Sequence, residues 1–319
     1  MSRLPTRVST RMPTRISLRE MEMIQSILTY GSMAKAALKL NISQPAISRM
    51  VKHAEERTGL QLFERRGSRL VPTSDLATLS EEFQRVFTSM DRVQSLSMAL
   101  GAGLGRAVHV STMSVLATTL LTPAFLNLRQ DHPRTPMAVK LNHRPGVEQE
   151  IIREESDLGL VHGVFHHDSL TAVSLCKARV VCLMHRDHPL SALNEIGPRD
   201  LEQETLISMG HHSPLSQEVI DAFDAAGVER RIIIQIADSG LAAHFCANGL
   251  GLALLDPFFI RTSPPNDLVI RPFVPEIETQ CFAIYSNRRV LPELEADLVS
   301  RLEAAGAEWQ RNFEALLKP

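Results

Sequence analysis

Polar and basic side chains recur at short intervals in the stretch 41–52. Gln44, Ser48, Arg49 and Lys52 alternate there with apolar residues. Amide, hydroxyl, guanidinium and ammonium groups can read base edges in a DNA groove or hold phosphates. The stretch therefore predicts a surface that contacts nucleic acid.

The apolar residues of the same stretch predict the element that would carry these side chains. Ser43 can cap a helix, and a proline at position 45 costs nothing in the first turn because its missing N–H would have no partner there. Apolar residues recur at i, i+1, i+4, i+5 and i+8, namely Ala46, Ile47, Met50, Val51 and Ala54. The pattern indicates a helix with one buried face and polar groups on the remainder.

The flanking sequence predicts a small domain over residues 16–73. One helix would begin near Leu18 and end at Gly31, and Ser32 would cap a second that ends at Asn41. Two short helices joined by a tight turn, the later one bearing polar groups at its start, are typical of a helix-turn-helix. Residues 60–73 predict two extended pieces around a Gly-Ser tip, a wing. Its basic residues are Arg65, Arg66 and Arg69.

Residues 74–100 predict one long helix with an apolar seam. The seam is spaced alternately by three and four residues, as Leu76, Leu79, Phe83, Val86, Met90, Val93, Ser97 and Leu100. Such a heptad stripe has to be covered, either by the chain's own second half or by the same helix of another copy. We expect the second, because a dimer would present two recognition helices to one face of DNA.

Here the sequence resembles the N-terminal domain of LysR-type transcriptional regulators. The match in order and spacing covers Gly31-Ser32, Ala36-Ala37, Leu40, Ser43-Gln44-Pro45-Ala46-Ile47-Ser48, Gly59, Leu62-Phe63-Glu64-Arg65 and Pro72-Thr73. The resemblance implies DNA-facing residues Ser43, Gln44, Ser48 and Arg49. It implies phosphate contacts from Ser32, Lys52, Arg65, Arg66 and Arg69.

Charge separates this domain from the rest of the chain. Residues 1–72 hold 13 Lys and Arg against 5 Asp and Glu, whereas the remainder holds 21 against 31. A basic first part joined to an acidic body predicts a polyanionic partner for the first part only. The Arg-rich residues 1–15 predict a disordered leader, with a DNA-contacting arm as the alternative.

The sequence beyond residue 105 alternates strand and helix patterns, which predicts α/β lobes with mostly parallel sheets. The Gly-rich run 101–105 follows a helix and precedes a strand, so it predicts a hinge rather than a dinucleotide loop. Among the predicted elements are helices at 116–131 and 147–155, a buried strand at 232–236, and one or two helices at 291–317.

The resemblance continues through this half, with landmarks at Asp157-Leu158-Gly159-Leu160, His188-Pro189-Leu190 and residues 248–257. It implies a fold of class α/β: an N-terminal all-α winged helix-turn-helix (16–73), a long linker (dimerisation) helix (74–100), and a two-lobed periplasmic-binding-protein-like effector domain (106–319). Lobe I would hold 106–180 and 282–319, and lobe II 181–281. Residues 255–258 and 268–273 look most like the lysine-biosynthesis and opine regulators, which implies an amino-acid-like or other small carboxylate effector.

Effector contacts are expected where helices begin beyond the carboxyl ends of strands, because unpaired N–H groups there suit an anion. The alternative for several of these residues is ordinary N-capping. The resemblance also implies that a histidine at position 162, where the lysine regulator has an acid, disfavours a dibasic ligand. The candidates are Thr112, Ser114, His162, Ser208, His211, Ser213 and Asp238.

Other classes of site and location are not favoured. The histidines show no zinc-type spacing and the four cysteines no CxxC, so we expect no metal, no cofactor and reduced thiols. No apolar run is long enough for a membrane span and no secretory signal is present, which predicts a cytoplasmic protein.

The leading hypothesis is therefore a DNA-binding regulator that is dimeric or tetrameric. Its expected partners are double-stranded DNA, a small-molecule effector and further copies of itself, and RNA polymerase is an open possibility. The alternatives are a solute-binding protein of a transport system, which the two lobes permit, and an enzyme, for which no catalytic motif is found.

Overall fold

The computed structural model describes residues 16–66, 69–102, 104–210, 215–261 and 267–317. The predicted leader, the Gly-Ser tip of the wing and the candidates His211 and Ser213 lie outside these ranges. The chain divides into two units, residues 1–93 and 94–319. Each unit is described below by itself.

Caps define the helices of the first unit, as the sequence predicts. Helix α1 (Leu18–Tyr30) begins with a capping box between Ser17 and Glu20 and ends at Gly31, whose φ of 68° a side chain would disfavour. Helices α2 (Met33–Lys39) and α3 (Gln44–Thr58) are capped by the predicted serines at positions 32 and 43. The wing is an antiparallel pair, β1 (Phe63–Arg66) and β2 (Arg69–Pro72).

The long helix α4 (Ser74–Gly101) contributes to the core of this unit. Leu76 and Phe83 are buried in the cluster formed by α1, α2, α3 and the wing, and Leu79 and Phe87 pack against it. The first part of the predicted seam is thus covered by the chain's own winged helix, a cover that the sequence did not predict. Val93 remains 68% exposed.

The second unit contains two sheets. Of the strands in its described residues, five form a first sheet in the order β4-β3-β5-β12-β6 and five form a second in the order β11-β7-β10-β8-β9. The first comprises β3 (Val108–Thr112), β4 (Met137–Leu141), β5 (Leu158–His162), β6 (Leu170–Arg179) and β12 (Glu278–Ser286). The second comprises β7 (Val181–His185), β8 (Leu206–Ser208), β9 (Ile232–Gln235), β10 (Leu252–Leu255) and β11 (Leu268–Pro272).

Helices cover both sheets. Helix α5 (Ser114–Leu116) continues through a π-helical stretch (Ala117–Leu121) into α6 (Thr122–Asp131), and α7 is Arg144–Ile152. The second lobe has α8 (Ser216–Ala226) and α9 (Ser239–Ala247), and α10 (Glu293–Leu316) returns to the first. Helix packing requires glycine at two places: a Cβ on Gly159 would lie 2.8 Å from Val147 of α7, and one on Gly306 would clash with the carbonyl of Leu175.

Several details of the sequence prediction were wrong. Each sheet has two parallel and two antiparallel pairs among its described strands rather than mostly parallel ones, because the chain crosses twice between the lobes. The second crossing enters lobe I at Glu278, so residues 278–281 belong to that lobe and not to lobe II. Strand β9 is an exposed edge, with Ile233 63% exposed, and not a buried strand. The predicted helices at 116 and 147 begin earlier, at Ser114 and Arg144.

Candidate DNA-binding surface and effector site

The candidate DNA-reading side chains all lie on the exposed side of α3. Ile47, Val51 and Ala54 are buried beneath the helix, which turns Gln44, Ser48, Arg49 and Lys52 outward. The Ser43 hydroxyl accepts a hydrogen bond from the N–H of Ala46 at 3.4 Å, so the helix N-terminus is fixed by its own cap. The structure therefore brings these predicted residues together on one surface.

Two of these side chains are held by local contacts. The Nε of Arg49 donates to the Pro45 carbonyl at 3.4 Å, which keeps the guanidinium near the start of the helix. Lys52 lies 3.7 Å from Glu56 in an exposed pair one turn along α3. Exposed pairs of this kind contribute little, so a phosphate can replace the carboxylate as partner of Lys52.

The predicted phosphate contacts differ in how they are held. Ser32 caps α2 by accepting from the N–H of Lys35 at 3.2 Å, and its hydroxyl proton stays available to a phosphate. Arg65 is exposed at the end of β1. Arg66 is already paired, with its guanidinium 2.7 Å from Glu64. Arg69 begins β2.

Two acidic residues that the sequence did not single out position the DNA-binding elements. Glu55 accepts hydrogen bonds from the N–H groups of Leu62 and Phe63, at 2.9 and 3.4 Å, and so joins α3 to the wing. Glu20 is buried and pairs with Arg57 of α3 at 3.3 Å. Burial raises the pKa of Glu20, but hydrogen bonds from Ser17 and the nearby cationic side chains of α3 outweigh it, so the net pKa is lowered.

A cavity of about 310 Å³ lies between the two lobes of the second unit. Three helix N-termini reach it: Ser114 opens α5, Arg144 opens α7 and Ser239 opens α9. Helix N-termini carry partial positive charge and unpaired N–H groups, so their convergence favours a ligand with an anionic group. Arg144 adds a guanidinium, whose charge is partly balanced by its ion pair with Glu148 at 2.8 Å.

The lining of this cavity also holds two carboxylates. Asp238 of lobe II caps α9 by accepting from the N–H of Leu241 at 2.8 Å, and it also accepts from the Ser114 hydroxyl of lobe I at 2.6 Å. Asp256 follows β10 and is 3% exposed. A ligand that carries both an anionic and a cationic group would find complementary charges here.

Arg144 is fixed in place by three contacts. Its Nε donates to Glu148 at 2.8 Å, its Nη1 donates to the carbonyl of His162 at 3.3 Å, and its guanidinium stacks 5.7 Å from the ring of Phe165. An arginine held in this way is preorganised to receive a carboxylate.

The remaining effector candidates are distributed unevenly. His162 lines the cavity together with Ser114 and Asp238. Thr112 is buried and donates to the Met113 carbonyl, so it does not line the cavity. Ser208 lines a separate cavity of about 120 Å³ in lobe II instead.

Sequence reasoning missed Arg144 and Asp256, which line the cavity. The Pro at position 145 could have indicated a helix that begins at Arg144, since proline favours the first turn. Asp256 lies directly after the strand that ends at Leu255, where ligands of α/β folds gather.

Within the described ranges, no group of His, Cys, Asp and Glu could hold a metal ion, and no helix is long and apolar enough to cross a membrane. The four cysteines are buried as thiols. Burial raises the pKa of Cys246 to about 12, which makes that thiol unreactive near neutral pH.

Comparison with protein families covers both units. A family model described as "LysR substrate binding domain" matches residues 101–307, and one described as "Bacterial regulatory helix-turn-helix protein, lysR family" matches residues 18–75. The chain belongs to the LysR family. This LysR-type chain is accordingly a DNA-binding transcriptional regulator with an effector-binding domain, and the transport alternative is not favoured.

Individual relatives agree with this assignment. The regulatory protein NocR of Agrobacterium fabrum (strain C58) is 28% identical over 299 residues, which cover 91% of this LysR-type chain and 98% of NocR. The transcriptional activator protein LysR of Escherichia coli (strain K12) is 26% identical over 258 residues, covering 81% and 83%. Full-length CbnR complexed with its target DNA has the same fold, with a TM-score of 0.73, 18% identity and coverage of 91% and 100%.

Proposed function

We propose that this regulator reads duplex DNA with the outward side of α3. Gln44, Ser48 and Arg49 would contact base edges at the start of the helix, and Ser43 would support them from the cap. Ser32, Lys52 and the wing arginines at 65, 66 and 69 would hold the phosphate backbone. The observation that carries the proposal is the division of α3 into a buried apolar face and an exposed polar one.

The DNA-reading assignment is tested by selecting bound fragments and then substituting α3. Gln44→Ala should weaken binding to the selected site by about 1–3 kcal/mol while changing binding to random DNA little, as expected for a base contact. Equal loss on both DNAs would contradict base reading by Gln44. Lys39→Ala, an exposed change on α2, provides the control for a charged side chain outside the proposed contacts.

We also propose that the regulator acts as a homodimer that pairs into a tetramer. The distal part of the α4 seam is exposed, with Val93 and Leu100 both above 60%. Each sheet of the effector domain also ends in an exposed apolar edge, at Leu141 of β4 and at Ile233 of β9. Apolar surface on strand edges and on a heptad seam favours self-association.

Sedimentation across a range of protein concentrations tests the proposed assembly. Val93→Glu should dissociate the form held by α4, and Ile233→Glu the form held by the sheet edges. Val290→Glu, at an exposed residue in the loop before α10, serves as the control. A wild-type chain that stays monomeric throughout would contradict the assembly.

The effector of this proposal is a small carboxylate, amino-acid-like in size, bound in the cavity between the lobes. Its anionic group would lie against Ser114, Ser239 and Arg144, with His162 and Asp238 nearby. Binding would shift the population of lobe arrangements and, through the assembly, the spacing of the recognition helices. A thermal-shift screen of carboxylates and amino acids tests this, because a ligand that binds only the folded chain raises its melting temperature.

The proposal includes a cytoplasmic location, contact with RNA polymerase near a promoter, and no catalytic step. Regulation by effector-dependent DNA binding requires no bond-making chemistry and no cofactor. Co-precipitation of polymerase with the DNA-bound regulator would test the polymerase contact.

A further inference from the structure

Two buried polar side chains that line the inter-lobe cavity lack good hydrogen bonds. His162 is 3% exposed, and its Nδ1 has no hydrogen-bond partner in the part of the chain that the structure describes. Its Nε2 lies 3.8 Å from Oδ2 of Asp256, which is beyond hydrogen-bond distance. Buried polar groups are normally paired, so this pair calls for a partner.

Asp256 is held in place but not satisfied. Its Oδ1 accepts from the N–H of Phe258 at 3.3 Å, which caps the turn Pro257–Phe259. The ring of His162 packs on the ring of Phe258, with centroids 5.4 Å apart. These contacts fix a carboxylate oxygen and an imidazole side by side at the cavity wall, and a buried carboxylate without a cation is costly.

The hydrogen-bonding groups of His162 and Asp256 indicate which ligand group would pair with both. A hydroxyl could donate to Asp256 and accept from an N–H of His162, but it would bring no charge to the buried carboxylate. A primary ammonium has three N–H groups and a positive charge, so it can donate to the Asp256 carboxylate and to an unprotonated nitrogen of His162 at once. A second carboxylate would repel Asp256, and an apolar group would form a hydrogen bond with neither side chain.

We infer that His162 and Asp256 together bind a primary ammonium group of the effector, which makes the ligand an amino acid rather than a simple carboxylate. The inference rests on the proposed function, in which the carboxylate of the same molecule lies against the helix N-termini and Arg144. Asp238 keeps its 2.8 Å capping bond from the N–H of Leu241 and lies beside Ser114, where the effector carboxylate is proposed to bind, so we assign the ammonium to Asp256. His162 is thereby a specificity-determining residue.

Calorimetry and thermal shift on the full chain test the inference with matched probes. One panel contains the protein amino acids with ornithine and citrulline, and the other contains the corresponding acids that lack the α-amine, such as glutarate for glutamate. We expect a member of the first panel to bind and its amine-free counterpart to bind at least about 100-fold more weakly, since the site would be left with an unpaired buried charge.

Substitutions at His162 and Asp256 test whether these two side chains cause the preference for the amino acid. Asp256→Asn keeps an oxygen for the Phe258 cap but removes the charge, and should weaken the amino acid about 10- to 100-fold while leaving its amine-free counterpart unchanged. His162→Phe should also weaken binding of the amino acid. His162→Gln should weaken it less, because the amide oxygen can still accept a hydrogen bond from the ammonium. Asp187→Asn, at an exposed carboxylate of lobe II that does not line the cavity, should leave both ligands unaffected.

The outcomes separate the inference from the proposed function. If the amine-free acid binds as tightly as the amino acid, or if Asp256→Asn weakens both equally, the ammonium site is contradicted while a carboxylate effector stands. If no member of either panel binds, the proposed effector class fails and the inference fails with it.

Discussion

The hydroxyl of Ser114 donates a 2.6 Å hydrogen bond to Oδ2 of Asp238, and this bond joins lobe I to lobe II across the cavity wall. The carboxylate of Asp238 thus already occupies the hydroxyl that opens α5. An effector carboxylate that uses Ser114 must displace it. The chain's own aspartate and the effector therefore compete for one donor.

Asp238→Asn is predicted to raise effector affinity several-fold. Asparagine can still cap α9, but the neutral amide neither holds the Ser114 proton as strongly nor repels an incoming carboxylate. Titration calorimetry with the ligand found by screening measures the change. A loss of affinity would show instead that Asp238 contacts a cationic part of the ligand, and Ser114→Ala, expected to weaken binding about tenfold, is the companion variant.

Arg49→Ala is predicted to weaken binding to the selected DNA site by about 1–3 kcal/mol. The guanidinium is exposed on α3, and among the described residues its one partner is the Pro45 carbonyl, so it is available to a base or a phosphate. Filter binding over a series of salt concentrations distinguishes the two, because a lost phosphate contact lowers the salt slope by about 0.9. Unchanged affinity at every salt concentration would remove Arg49 from the interface, and Arg129→Ala, in α6 of the second unit, controls for net charge.

The two neighbouring wing arginines are predicted to contribute unequally. Both guanidinium groups are exposed, but that of Arg66 contacts Glu64 through two nitrogens, at 2.7 and 2.8 Å. Removing Arg65 should therefore reduce DNA affinity more than removing Arg66. Glu64→Gln should strengthen binding at low salt, because it releases the charge of Arg66 to the phosphates. Equal losses for the two arginine variants, with no gain for Glu64→Gln, would contradict the inference from the ion pair.

Stability of the DNA-binding unit is predicted to fall on acidification through Glu20. The net pKa of Glu20 lies below its ordinary 4.5, since hydrogen bonds from Ser17 and the positive charge of Arg57 outweigh the effect of burial. A lowered folded-state pKa stabilises the charged form, so its contribution is present above the ordinary value and lost as pH falls through the lowered one.

Hydrogen exchange across residues 16–73 of the full chain, at several pH values, measures this contribution. Glu20→Gln should be less protected than wild type by about 1 kcal/mol near pH 7, and the difference should vanish toward pH 3. A difference that is independent of pH would mean that the side chain acts through packing alone.

The sequence predicted the DNA-binding unit well because its signals are local. Ser17, Ser32 and Ser43 begin helices through their own side chains, and Gly31 and Gly59 end them through positive φ. These residues act within one turn, so a pattern along the chain contains most of the information.

The effector half was predicted less well because its site depends on long-range arrangement. Strand β9 has a buried-strand composition, yet it lies at a sheet edge, and edge position is a property of topology. The sequence around Asp256 indicates only the start of a turn. The folded arrangement of β10 in lobe II relative to lobe I is what places Asp256 near His162. Arg144 was missed because its helix was predicted to begin three residues later.

Recognition of a particular DNA sequence by α3, in a symmetric assembly, can be measured by selecting genomic fragments with the full-length protein and then footprinting them. We predict a partly palindromic site whose two protected halves lie a whole number of helical turns apart, and loss of that protection in a Gln44→Ala, Arg49→Ala double variant. No preference for any fragment over bulk DNA, or a footprint that survives the double variant unchanged, would contradict it.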